Sequence, residues 1–248
     1  MPLLAIQDLR KAFGEVHAVD GLSLVLEEKH LVSLVGANGA GKTTLVNLIS
    51  GLLRPDGGRI GFQGKDVTHM PVPERILTGI ARSFQLVNLF DQLSALDNVR
   101  LAIFAREGKI RMVTTLAERD DRVRDEALEV LEAFGISAKW DLPAGSLAQG
   151  ERKLLDVAVA YALRPTLILL DEPTSGVGTR EKGRIMDTVS TVVRGGGLTA
   201  VIVEHDMDVV FRYSDRIVVM HQGQILADGT PEQIREDDRV ATTLLGRT

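Results

Sequence analysis

The chain has 248 residues, 44% hydrophobic and 25% charged, which suits one large domain or a domain with a sizeable subdomain. A formal net charge of −5 argues against a broad nucleic-acid footprint, and the lack of cysteine excludes a disulfide framework and a thiolate metal site. No apolar run approaches the roughly 20 residues that span a bilayer, and residues 1–13 carry charges without the apolar segment of a secretory signal, so a soluble cytoplasmic protein is expected.

Short β-like runs come first, at 3–9, 22–26 and 31–35, with polar or glycine-containing breaks between them. Runs at 60–62 and 80–84 follow, separated by a turn-rich stretch containing Pro71 and Pro73. The middle of the chain changes period. A helix is predicted over 97–105, and Val123, Ala127, Leu128, Val130, Leu131 and Phe134 recur at helical spacing between charged residues. Another helix runs over 150–163, ended by Arg164-Pro165. A mostly helical insert therefore occupies roughly 86–162, between strand-rich flanks. Strands are predicted again at 167–170, 200–203, 217–220 and 224–227, the first two apolar throughout, as central strands covered on both faces would be. Thr230-Pro231-Glu232-Gln233 carries the N-cap, first-turn proline and N3 amide of a capping box.

Gly36-Ala37-Asn38-Gly39-Ala40-Gly41-Lys42-Thr43 fits the phosphate-loop pattern at every fixed position. An apolar strand precedes it, and a helix predicted over 43–50 follows, so the loop through Thr44 is assigned to a nucleotide, ATP. Glycines let successive backbone N–H groups converge on phosphate oxygens, and the helix N-terminus adds its positive end. Lys42 would place a point charge between the β- and γ-phosphates, and the Thr43 hydroxyl is a hard-oxygen ligand for Mg²⁺. The competing reading is an accidental glycine-rich turn, which the flanking elements argue against.

The strand at 167–170 ends in Asp171-Glu172, at the strand end where ligands bind in open α/β sheets. Asp171 would hold Mg²⁺ through water, and Glu172 would orient and polarise the attacking water. Alone, such a pair also reads as the start of a polar turn.

With further motifs in order, the chain resembles an ATP-binding cassette ATPase over essentially its whole length. Phe13 stands where that family places an aromatic ring to stack on adenine. Gln85 matches the glutamine that touches Mg²⁺ and senses the transport partner. Leu147-Ala148-Gln149-Gly150-Glu151 sits at the signature, and His205 matches the switch histidine that contacts the γ-phosphate. Each residue also has a plain reading: Phe13 as a core aromatic, Gln85 as a polar strand end, His205 as a capping or solvated histidine, and Ser146 with Gln149 as a capping box.

The resemblance implies an α/β P-loop NTPase fold: a RecA-like mixed-sheet core, an antiparallel β subdomain and a helical subdomain. It makes 1–248 one cassette, with the core at about 1–85 and 163–248 and the helical subdomain at about 86–162. It also implies a head-to-tail dimer, since one subunit's phosphate loop and the other's signature share a nucleotide. Two departures stand out. Ala148 and Glu151 replace the usual signature serine and glutamine, and Gly178 stands where aspartate is common, which bears on rate and on communication between the sites.

Residues 79–85, Asn88-Leu89-Phe90, residues 227–234 and Leu244-Leu245-Gly246 are similar to the branch that serves importers of branched-chain and other hydrophobic amino acids, or amides such as urea. That branch implies a second ATPase subunit, identical or related, integral membrane permeases, an external solute-binding protein and a peripheral position at the inner face of the cell membrane. An exporter or lipid-extraction ATPase shares the same motifs, and a weakly catalytic ATP-dependent clamp fits the two departures.

Overall fold

The computed structural model describes residues 2–83, 89–109 and 120–244. In chain order the elements are β1 (Leu4–Phe13), β2 (Val16–Leu26), β3 (Leu31–Val35), α1 (Lys42–Ser50), β4 (Gly57–Phe62), β5 (Lys65–Asp66), α2 (Val72–Thr78) and β6 (Ile80–Arg82). Then come α3 (Ala95–Arg106), α4 (Asp121–Ala133), α5 (Gln149–Ala162), β7 (Leu167–Asp171), α6 (Thr179–Gly195), β8 (Thr199–Val203) and α7 (Met207–Tyr213). The chain closes with β9 (Arg216–His221), β10 (Gln224–Gly229), α8 (Pro231–Glu236) and α9 (Asp238–Leu244). Two compact units result: Met1–Arg75 with Gly197–Thr248, and Ile76–Gly196. Among the described residues, no helix is long and apolar enough to cross a membrane.

The first unit holds an antiparallel sheet in the order β2-β1-β4-β5, whose central strand pairs Leu4 with both Leu26 and Phe62. It also holds β3, parallel to β8 on one side and β9 on the other, with β10 added antiparallel to β9. Every residue of β3 and of β8 is buried, as their apolar composition predicts for strands covered on both faces. The capping box at α8 forms as expected: the Gln233 N–H donates to the Thr230 hydroxyl, and the Gln233 side chain accepts from the Thr230 N–H at 2.9 Å.

The second unit is mostly helical, with β6 and β7 pairing in parallel, Ile80 opposite Leu167. On α4 the spaced residues Val123, Ala127, Val130 and Leu131 are buried, each worth about 1–3 kcal/mol of transfer free energy depending on size. Phe134 then meets Tyr161 of α5 edge to face, centroids 5.6 Å apart.

Two helices differ from the sequence-based reading. Residues around Pro71 and Pro73 form α2 rather than a plain turn, because proline is tolerated in a first helical turn whose N–H groups are unpaired anyway. The 17-residue α6 buries Ile185, Met186, Val189, Val192 and Val193, a helical stripe that the strand-centred reading of this region passed over.

Candidate functional site

In the first unit, β3 runs into the glycine-rich loop and then into α1. Gly41, at the N-cap of α1, has φ +101°, and any side chain there would run into the Ala18 carbonyl oxygen. Gly39, at φ +82°, has no neighbour within 4 Å of where a Cβ would stand, so the crest of the loop is open to a ligand. Ala37 and Asn38 are exposed beside it, whereas Ala40 is buried and accepts a hydrogen bond from the Gly223 N–H at 3.0 Å. No side chain caps α1, which leaves its first-turn N–H groups and positive end for an anion.

Lys42 is buried, and its Nζ donates to the carbonyl oxygens of Gly36 at 2.8 Å and Ala37 at 3.0 Å. Thr43 is exposed and Thr44 half-buried on the same turn. At the far end of α1, the buried Arg75 donates to the carbonyls of Leu48 and Ile49, both at 2.6 Å, and to those of Met70 and Thr68. Burial pushes its guanidinium down to about 10, so it stays charged at neutral pH and serves the negative helix end.

Phe13 closes the β1–β2 hairpin opposite Val16 and is 50% exposed, which rules out the core reading. Lys11 Nζ lies 5.6 Å from its ring centroid, a cation–π contact that leaves the ring available as a stacking surface. His205 is exposed in the turn between β8 and α7. The helix-capping role suggested for it belongs to Asp206, whose carboxylate accepts from the N–H groups of Asp208 and Val209.

In the second unit, β7 ends in Asp171, 1% exposed and paired with Arg82 at 2.7 Å. Asp171 Oδ1 is buried without a hydrogen-bond partner. Glu172 follows at φ +51°, in the left-handed region where a residue with a Cβ is strained. Gln85 lies outside the described residues.

The signature opens α5. Ala148 is the N-cap, and Glu151 Oε2 accepts its N–H at 3.1 Å. The expected Ser146 cap does not form: the Ser146 hydroxyl donates to the Pro143 carbonyl within the 3-10 turn Ala144–Ser146. Lys139 Nζ reaches both Glu151 oxygens, at 2.6 and 2.8 Å, and holds that carboxyl below its ordinary range, helped by the Ala148 N–H. The extra acid in the signature is thus balanced within its own unit. Gln149 lies against Gly176, where any side chain would strike its Nε2. Arg82, Lys139 and Arg75 were not singled out by sequence motifs, because their partners are remote in the chain.

The family model described as ABC transporter matches residues 19–175. The chain belongs to the ABC transporter family. It is 35% identical over 250 residues to the high-affinity branched-chain amino acid transport ATP-binding protein BraF of Pseudomonas aeruginosa, covering 99% of this chain and 98% of that one. The ADP conformation of MJ1267, an ATP-binding cassette of an ABC transporter, matches with TM-score 0.86 and 31% identity over 100% of both chains. The dimeric post-hydrolysis state of the cassette MJ0796, bound to ADP and Pi, matches with TM-score 0.78 and 25% identity, covering 92% of this chain and 98% of that one. Mixed sheet, antiparallel sheet and helices together are the ABC ATPase fold expected from the motifs.

Proposed function

We propose that this protein is the ATP-binding and ATP-hydrolysing subunit of an importer, powering uptake of branched-chain or other hydrophobic amino acids, or a related amide, through partner membrane permeases. The carrying observation is the open phosphate loop with its buried Lys42, in a chain that matches BraF end to end.

In this reading Phe13 stacks on adenine, the backbone from Gly36 to Thr44 cradles the phosphates, and Lys42 moves from its two carbonyls onto the β- and γ-phosphates. Mg²⁺ suits the hard-oxygen set of Thr43, Asp171 and Gln85, and the buried Asp171 Oδ1 is an acceptor of the right chemistry. Bound there with ATP, the ion supplies positive charge to the phosphate oxygens. Glu172 orients and polarises water. The water oxygen bonds to the γ-phosphorus as a water proton passes to the Glu172 carboxylate and on to the products, the bond to the β–γ bridging oxygen breaks, and ADP and phosphate leave. His205 contacts the γ-phosphate.

Residues Ala148 to Glu151 serve the nucleotide of a second ATPase subunit, identical or related, in a head-to-tail dimer; the similar cassette MJ0796 is dimeric in its ADP- and Pi-bound state. The cassette core at about 1–85 and 163–248 and the helical subdomain at about 86–162 remain the proposed functional division. Permeases hold the dimer at the inner face of the cell membrane, and a solute-binding protein acts from outside.

Uptake of labelled leucine, isoleucine and valine in cells lacking this chain provides the test. Loss of uptake, restored by the wild type and not by Glu172→Gln, is expected. Uptake equal to that of intact cells would remove the branched-chain amino acids from the proposed solutes, and wild-type turnover by Glu172→Gln would remove the proposed catalytic role.

A further inference from the structure

The start of α5 and the loop after β7 are locked together by a residue that no motif names. Lys153 lies one turn into α5 and is 5% exposed. Its Nζ donates to the Glu172 main-chain carbonyl at 3.3 Å and to the Ser175 hydroxyl at 3.0 Å. The same Glu172 carbonyl also accepts from the Ser175 N–H at 3.1 Å, closing a tight turn. Glu172 holds φ +51°, a conformation unfavourable for a residue with a Cβ, so it persists only where surrounding bonds enforce it. Two donors on its carbonyl do so, and the backbone they hold sets where the Glu172 side chain departs. The contact of Gln149 with Gly176 packs the loop, and that of Glu181 with Gly150 the start of α6, against the signature.

We propose that Lys153 is a positioning residue that carries the state of the signature to Glu172. The inference rests on the reading of Glu172 and the signature given above. In a head-to-tail dimer, the signature of one chain contacts the partner's nucleotide while Glu172 of that chain works on its own. A lysine bonding the signature helix to the Glu172 backbone then joins the two sites directly at the carbonyl of the catalytic residue.

The test compares Lys153→Met, Lys153→Arg and Ser175→Ala in the full-length chain, measuring kcat, KM for ATP and the Hill coefficient. Lys153→Met should lower kcat about tenfold or more, leave KM within about threefold and reduce the Hill coefficient, with most of the rate recovered in Lys153→Arg. In a Glu172→Gln background, Lys153→Met should still form the ATP-dependent dimer, because both binding surfaces are intact. Wild-type kcat and Hill coefficient in Lys153→Met overturn the proposal, and so does loss of the dimer, which would make Lys153 an assembly residue. If Lys153→Met does not fold, Ser175→Ala decides: about a threefold fall in kcat at unchanged KM supports the link, and a wild-type profile overturns it. Glu172→Gln alone separates the two levels. If that variant turns over normally, the assignment of Glu172 has failed, whatever Lys153 does.

Discussion

In the phosphate loop Lys42 is buried and donates to the main-chain oxygens of Gly36 and Ala37, whereas in the second unit Asp171 and Glu151 are carboxylates each paired with a cation, Arg82 and Lys139. The contrast follows from what each region has to meet. A lysine resting on carbonyls is kept ordered yet retains its unit charge, so a phosphate can take over its hydrogen bonds with a charge-assisted gain. A cation beside Asp171 or Glu151 offsets the repulsion that each carboxylate would exert on a phosphate. Ala148 fits the same scheme. The signature loses a hydroxyl donor there, while its helix start keeps the N-cap geometry and a bond from the Ala148 N–H to Glu151.

Breaking the buried pair should have the largest effect. Arg82→Leu leaves Asp171 buried with an uncompensated charge, and a loss of about 3–5 kcal/mol is expected in urea unfolding. A loss below about 1 kcal/mol would mean that the carboxylate is balanced by some other group. Next comes Lys42→Ala, expected to weaken ATP binding by about 100-fold in calorimetry, the value of a charged hydrogen bond to phosphate. Unchanged affinity would end the phosphate-loop assignment.

Lys139→Ala sharpens the comparison at smaller scale. The pair is partly exposed, so its loss should cost at most about 1 kcal/mol. Glu151 has its folded pKa below the ordinary 4.5, so the pair stabilises fully above pH 4.5 and its contribution fades as pH falls through the depressed folded value. The stability gap between wild type and Lys139→Ala should therefore narrow on acidification, while the Glu151 carboxyl resonance titrates at higher pH in the variant. An identical Glu151 titration in both proteins would deny Lys139 its neutralising role. The smallest effect is expected from Gly178→Asp. Gly178 is the N-cap of α6 and supplies no side-chain cap, so aspartate there should add about 0.5 kcal/mol, read as a small rise in Tm. A fall in Tm would show that the loop geometry excludes the side chain.

Much of this was legible in the sequence because it is local. The glycine spacing of residues 36–41, the apolar runs that became β3, β7 and β8, and the Thr230 capping box each depend on neighbours a few residues away. The stripe on α6 is equally local, Ile185, Met186, Val189, Val192 and Val193 recurring at helical spacing, and the strand-centred reading of this region passed over it. Ser146 attracted the cap assignment because serine is a favoured N-cap, but the helix begins two residues later at Ala148, with Glu151 reaching back to the backbone.

The sequence by itself determined the kind of machine: a phosphate loop, a strand ending in Asp171-Glu172, a signature and His205, in the order of an ATP-binding cassette. Tertiary structure alone decided how its charges are held. Arg82 lies 89 residues from Asp171, Lys153 19 from Glu172 and Lys139 12 from Glu151. Lysine and arginine side chains are long and flexible, so their partners are chosen by which surfaces pack together and exclude water, and no local pattern encodes that choice.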